Sequence, residues 1–179
     1  RLIYVFSLVN SHCPYTQGFH ELASVLYYVA LSGSRTLTMT DDRAEAIAFF
    51  LFFNLIIGTK LYTLFANVEN LTNMQQLFQT LEEAVKLQDA NFAHFLFQEM
   101  SIQPLCFSVS WVSLLFSQML DIPVLLLLWD HLLVFYDRIV EFVMMVSAGF
   151  ILVRKNRLSQ MNYEDIMFEL QNNNKMNIM

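Results

Sequence analysis

Glycine and proline are scarce in this chain, at four and three in 179 residues. A sandwich or barrel of many short strands needs turn residues at each reversal, so the shortage argues against an all-β architecture. Cysteine is scarcer still, at two. Cys13 and Cys106 cannot build a disulfide framework, and neither belongs to a Cys-x-x-Cys pair. That excludes a zinc ribbon or dithiol motif and predicts two buried, reduced thiols. Basic residues are also few, ten Lys plus Arg against sixteen Asp plus Glu, for a formal charge of −6 and a pI near 5.1. This balance speaks against an electrostatic nucleic-acid binder, and no nucleic-acid partner is expected. The first residues show no basic region, apolar run and small-residue cleavage site. The expected compartment is therefore cytoplasmic, and the formal sequon Asn70-Leu71-Thr72 is not expected to carry sugar.

Long apolar runs are missing as well. The most apolar stretch, Ala46 to Thr59, has 14 residues between Glu45 and Lys60, short of the roughly 20 that span a bilayer. It reads as a buried core helix, apolar on every face. The sequence likewise holds no Gly-x-x-x-x-Gly-Lys-Ser/Thr loop and no Gly-x-Gly-x-x-Gly, so the chain is not expected to cradle nucleotide phosphates by itself. His20-Glu21 begins like a zinc-protease helix, but Ser24 stands where the second His is needed. His12, His94 and His131 have no companion ligand at metal spacing. Neither a metal nor a cofactor is expected.

What the chain does contain is hydrophobic mass: 56% apolar types and only 15% charged, against about a quarter charged in ordinary domains. Helical periodicity is clearest at Leu71, Met74, Leu77, Phe78, Leu81 and Val85, with Gln75, Gln79, Glu82 and Lys86 on the opposite face. Asp42 and Glu45 resemble a capping pair, and Asp121 or Ile122 with Pro123 opens a Leu-rich run. Eight or nine helices are expected near 2–10, 17–31, 42–58, 71–88, 90–100, 104–119, 122–136, 138–153 and 162–171. The fold class is all-α. One domain is expected over 1–171, and the Asn-rich 172–179 reads as a disordered tail.

One segment carries chemistry: Tyr15-Thr16-Gln17-Gly18-Phe19-His20-Glu21-Leu22. Tyr-x-Gln-Gly followed by an apolar residue and Glu-Leu resembles the second signature of TBC-domain GTPase-activating proteins, which act on Rab GTPases. The order of later motifs agrees with that likeness. The helix at Asp42 to Phe53, the Ile102-Gln103-Pro104 and Trp111 to Phe116 segment, the run Leu125 to Trp129-Asp130, and the stretch from Asn162 to Gln171 resemble successive parts of the family domain. His-Glu-Leu after Gln-Gly, and an apolar residue before Trp-Asp, are most similar to the retromer-associated endosomal branch.

The resemblance implies a V-shaped helical domain that grips a GTP-bound Rab and supplies a Gln and an Arg in trans. It is also expected to lie at endosomal membranes as a peripheral rather than spanning protein, with an endosomal coat complex as a further partner. Gln17 matches the glutamine finger, with Tyr15 and Gly18 shaping its loop and Glu21 completing the motif. Trp129 and Asp130 are read as packing and helix-capping residues. Without the resemblance, Gln17 would read as a solvated loop amide. The family's arginine finger lies in an Ile-x-x-Asp-x-x-Arg signature that these 179 residues do not contain, so the domain is expected to be N-terminally incomplete or degenerate. Neither Arg1 nor Arg35 matches it. Ser110, Gln118 and Met119 also replace residues that are usually charged in the family, opposite charges having gone together. Two functions follow from the resemblance: a Rab GTPase activator using Gln17, or a catalytically inactive module that binds a Rab or an endosomal complex. A third reading, from the 56% hydrophobic content alone, is a helical membrane protein.

Overall fold

The computed structural model describes residues 1–67 and 71–171. Every regular element among them is helical: α1 (Leu2–Val9), α2 (Phe19–Thr36), α3 (Asp41–Phe53), α4 (Tyr62–Asn67), α5 (Leu71–Gln88), α6 (Ala90–Ala93), α7 (Leu105–Ser113), α8 (Ile122–Val134), α9 (Ile139–Val153), α10 (Lys155–Leu158) and α11 (Tyr163–Gln171). The backbone forms two compact units, Arg1–Ala66 and the chain from Asn67 onward. The expected tail, 172–179, and the Asn of the sequon lie outside the described residues.

In the first unit, α2 packs along α3 and α1 against both. Its centre is aromatic: Phe6, Phe19 and Phe52 are fully buried and meet edge to face, with centroids 4.9 Å apart for Phe6–Phe52 and 5.6 Å for Phe19–Phe52. That geometry sets the positive ring edge against the negative face. Helix α2 runs to Thr36, beyond the expected end at 31. Ser34 and Thr36 return their hydroxyls to the carbonyls of Leu31 and Ser32, at 2.8 and 3.2 Å, so these polar groups are satisfied inside the helix instead of nucleating a turn. Arg35 consequently sits in the last helical turn. The Phe-rich helix is not buried all round: Ala44, Ala48 and Phe52 face inward while Phe50 is 63% exposed. It continues as a π-helical turn, Asn54–Gly58. Asp42 and Glu45 do not cap α3; both carboxylates bind Arg1, with Arg1 Nε donating to Glu45 Oε1 at 2.8 Å.

In the second unit, α5 packs on α9, which also receives α7 and α8. Phe78, Leu81 and Val85 are buried and Gln75, Gln79 and Lys86 exposed, as the periodicity predicts; the side chains of Leu71 and Met74 lie outside the description. The expected helix 104–119 stops at Ser113. Leu115 and Phe116 then take left-handed backbone angles, φ 48° and 63°, and both side chains are buried. The turn sends Phe116 to within 5.0 Å of Phe150 and 6.1 Å of Trp111, centroid to centroid. Two short helices, α4 and α10, were not expected from the pattern; at four to six residues they show too little periodicity to read. Cys13 is buried, and burial raises its thiol pKa, but Cys106 is exposed, contrary to expectation.

Candidate functional site

The turn between α1 and α2 is built by its ends. Asn10 closes α1, its amide side chain donating to the Phe6 carbonyl at 2.9 Å, and Phe19 opens α2 with its ring sunk among Phe6, Phe52 and Phe65. Between these anchors Gly18 is the residue before α2, at φ 105°. A residue with a Cβ is strained there, and glycine is not. The Phe19 amide donates to the Thr16 carbonyl at 3.1 Å, closing a tight turn over Gln17 and Gly18. Gly18 is buried while Gln17 is exposed, so the carboxamide sits on the crest of the turn. Among the described residues it has no hydrogen-bond partner.

Tyr15 lies across the turn. Its ring meets Phe19 edge-on at 6.3 Å, and its hydroxyl is 2.9 Å from His20 Nδ1. Glu21, one residue on, places Oε1 3.8 Å from His20 Nε2 and puts negative charge in the first turn of α2, where the helix dipole favours it. Tyr15, Gln17, Gly18 and Glu21 are thus gathered in one segment. His20 joins them, although sequence spacing only excluded it from zinc binding. The signal was a histidine five residues after a tyrosine across a Gly turn, which cannot be told from chance without coordinates.

Trp129 and Asp130 belong to the other unit. Trp129 is buried and donates its indole N–H to the Leu115 carbonyl at 2.8 Å, holding the left-handed turn described above. Asp130 is exposed within α8 rather than at its start; it does not cap the helix, whose first residue follows Asp121. Arg1 is engaged with Asp42 and Glu45, which raise its pKa, the Glu45 hydrogen bond first. Among the described residues no three His, Cys, Asp or Glu side chains gather as a metal site. No described helix is long and apolar enough to cross a membrane.

The arrangement offers an amide that can both donate and accept, on a backbone turn of fixed shape, with no competing internal partner. Such a group can orient a water or a backbone group on another molecule. Comparison with known proteins gives this turn a context. The model of the Rab-GTPase-TBC domain matches residues 1–159. TBC1 domain family member 13 of Mus musculus is 27% identical over 162 residues, covering 88% of this chain and 39% of that protein. Its Homo sapiens counterpart is 25% identical over 175 residues, covering 96% and 42%. A TBC domain-containing protein of Schizosaccharomyces pombe is 28% identical over 134 residues, 74% of this chain and 21% of that one. The chain therefore spans about two fifths or less of these relatives. The crystal structure of the Ypt/Rab-GAP domain of Gyp1p superposes with a TM-score of 0.79 at 17% identity, over 99% of this chain and 59% of that one, which shows a shared fold.

Proposed function

We propose that this chain, which belongs to the Rab-GTPase-TBC domain family, engages a GTP-bound Rab-family GTPase and presents Gln17 to the hydrolytic water. The observation that carries this is the exposed Gln17 on the left-handed Gly18 turn, without a hydrogen-bond partner among the described residues. GTP hydrolysis needs a water held in line with the γ-phosphate and positive charge on the phosphoryl oxygens. A carboxamide meets the first need: its oxygen accepts from the water while its NH2 donates to a neighbouring acceptor. Tyr15 and Gly18 give the turn its shape, and Glu21 sits in the first turn of the helix behind it. Trp129 contributes through the fold of the second unit, by its bond to the Leu115 carbonyl, not through chemistry. The second need falls to an arginine, worth about 10³–10⁵ in rate in GTPases generally. No residue here matches the family's arginine signature, and Arg1 is held by two carboxylates.

The lack of that signature among these 179 residues motivates a second reading, in which the domain binds a Rab or an endosomal complex without accelerating hydrolysis. Under either reading the protein acts at the cytoplasmic face of endosomal membranes, bound to a partner and not embedded. Single-turnover phosphate release from a panel of GTP-loaded Rabs separates the two. Acceleration by the wild-type chain that Gln17→Ala abolishes supports the activator. A GTP-dependent complex with no acceleration by either form supports the binding module.

A further inference from the structure

We propose that His20 is a positioning residue: the hydrogen bond its Nδ1 accepts from Tyr15 Oη clamps the Gln17–Gly18 turn in the posture from which Gln17 meets a GTPase. This rests on the reading of Gln17 given above. Tyr15 and His20 flank the turn on either side, and their 2.9 Å contact closes it through side chains as the Phe19 to Thr16 hydrogen bond, at 3.1 Å, closes it through backbone. After the turn the Gly18 carbonyl is fixed by the Glu21 and Leu22 amides, at 3.0 and 3.3 Å. Before it the segment has less to hold it, and Gln17 has no hydrogen-bond partner among the described residues. Thr16 makes one long bond, 3.4 Å, to the Pro14 carbonyl. Tyr15 is 49% exposed, so edge contact with Phe19 alone leaves its ring free to swing outward, taking the backbone before Gln17 with it.

The proton arrangement follows from the surroundings. The phenol O–H can donate to Nδ1 when the imidazole carries its proton on Nε2. The Glu21 carboxylate, 3.8 Å from Nε2, is too far for a hydrogen bond but near enough to favour a proton on that side. Glu21 thus selects the tautomer, His20 accepts, and Tyr15 is held over the turn. The benefit is catalytic placement without contact to the reacting atoms, since a displacement of about 1 Å in a positioning group can cost on the order of 10² in rate.

The test uses the 179-residue chain with Tyr15→Phe, His20→Leu, the double variant and His20→Asn, whose Oδ1 occupies the place of Nδ1. The first readout needs no partner: hydrogen exchange of the Phe19 amide and ¹⁵N relaxation of Gln17 and Gly18. Loss of one hydrogen bond is expected to speed Phe19 exchange about threefold to tenfold in either single variant, with the double variant no faster than the faster single. His20→Asn is expected to restore the wild-type rate. The Trp129 indole N–H, in the other unit, reports global unfolding and is expected to stay unchanged. Wild-type exchange in both single variants, or fully additive effects in the double, overturns the clamp. The second readout is phosphate release from the GTP-loaded Rab that responds to wild type. The maximal rate is expected to fall about tenfold in Tyr15→Phe and His20→Leu while the half-saturating concentration holds. Faster exchange with an unchanged maximal rate overturns the positioning role. A wild-type chain that accelerates no Rab defeats the Gln17 activator reading, and with it the positioning role, while amide exchange still decides the clamp.

Discussion

The two units spend their aromatic residues differently. In Arg1–Ala66 the cluster of Phe6, Phe19, Phe52 and Phe65 is purely hydrocarbon, and the polar group above it, the Gln17 amide, is left without a partner. In the second unit the cluster centres on Trp111, Phe116 and Phe150, and the polar atoms around it are matched except the buried Ser117 hydroxyl, which has no hydrogen-bond partner among the described residues. The Trp129 indole binds the Leu115 carbonyl, and the Ser108 and Ser147 hydroxyls return to the carbonyls of Pro104 and Val143. Leaving a buried polar group unsatisfied costs stability, so most are paired within the chain, whereas an exposed one can be kept for another molecule. The first unit holds a polar tip outward on a rigid base; the second uses its polar atoms to stabilise an irregular turn.

The sharpest way to break the contrast is to remove the base. Phe19→Ala takes away a fully buried ring shared by Phe6, Phe52 and Phe65. It is expected to cost about 3–5 kcal/mol in chemical denaturation. Trp129→Phe keeps the ring mass but orphans the buried Leu115 carbonyl, an expected loss of about 1–3 kcal/mol. Gly18→Ala puts a Cβ at φ 105° and is expected to cost about 1–2 kcal/mol together with GTPase stimulation. Gln17→Ala is expected to leave stability within about 0.5 kcal/mol while removing that stimulation; equal damage to both would merge the tip with its base. If Gln17→Ala destabilised the fold as much as Gly18→Ala, the amide would have an internal role after all.

The smallest expected effect concerns pH. Asp89 accepts from Lys155 Nζ and from the Phe92 amide, the latter at 2.9 Å, and the Lys155 hydrogen bond first, then the Phe92 amide, hold its carboxyl below the ordinary carboxylate value. A depressed folded pKa means stability that is present above the unfolded value, about 4, and fades as pH falls through the folded one. Thermal scans between pH 6 and 2 are expected to show a shallower acid decline for Lys155→Met than for wild type.

Much of the architecture could be read from spacing alone. The α5 stripe of Phe78, Leu81 and Val85 is buried as its period requires, and Pro123 stands in the first turn of α8. Where the reading failed, tertiary packing had overruled local preference. The 104–119 run has the composition of a continuous helix, yet it breaks after Ser113 because burying Leu115, Phe116 and Trp111 together requires the chain to turn. Leu127, inside an all-apolar run, is 62% exposed while Leu125 is fully buried, since a run with no polar face gives no clue to which side meets the core. Asp42 and Glu45 had the spacing of a cap, but Arg1, remote in sequence, claimed both carboxylates.

At the candidate site the division is finer. Tyr-x-Gln-Gly in residue order, through its resemblance to the family signature, singled out Gln17 and gave Gly18 a part in shaping the loop; that Gly18 does so at φ 105°, which glycine takes without strain, came from the structure. Sequence alone thus determined the helical class, which follows from composition and spacing, and the family likeness, through which Gln17 was singled out. Tertiary structure decided that Gln17 is exposed with no hydrogen-bond partner among the described residues, that Phe19 roots its turn in a phenylalanine cluster, and that His20 reaches back to Tyr15. Those facts depend on how separate segments converge in space, which a one-dimensional pattern does not encode.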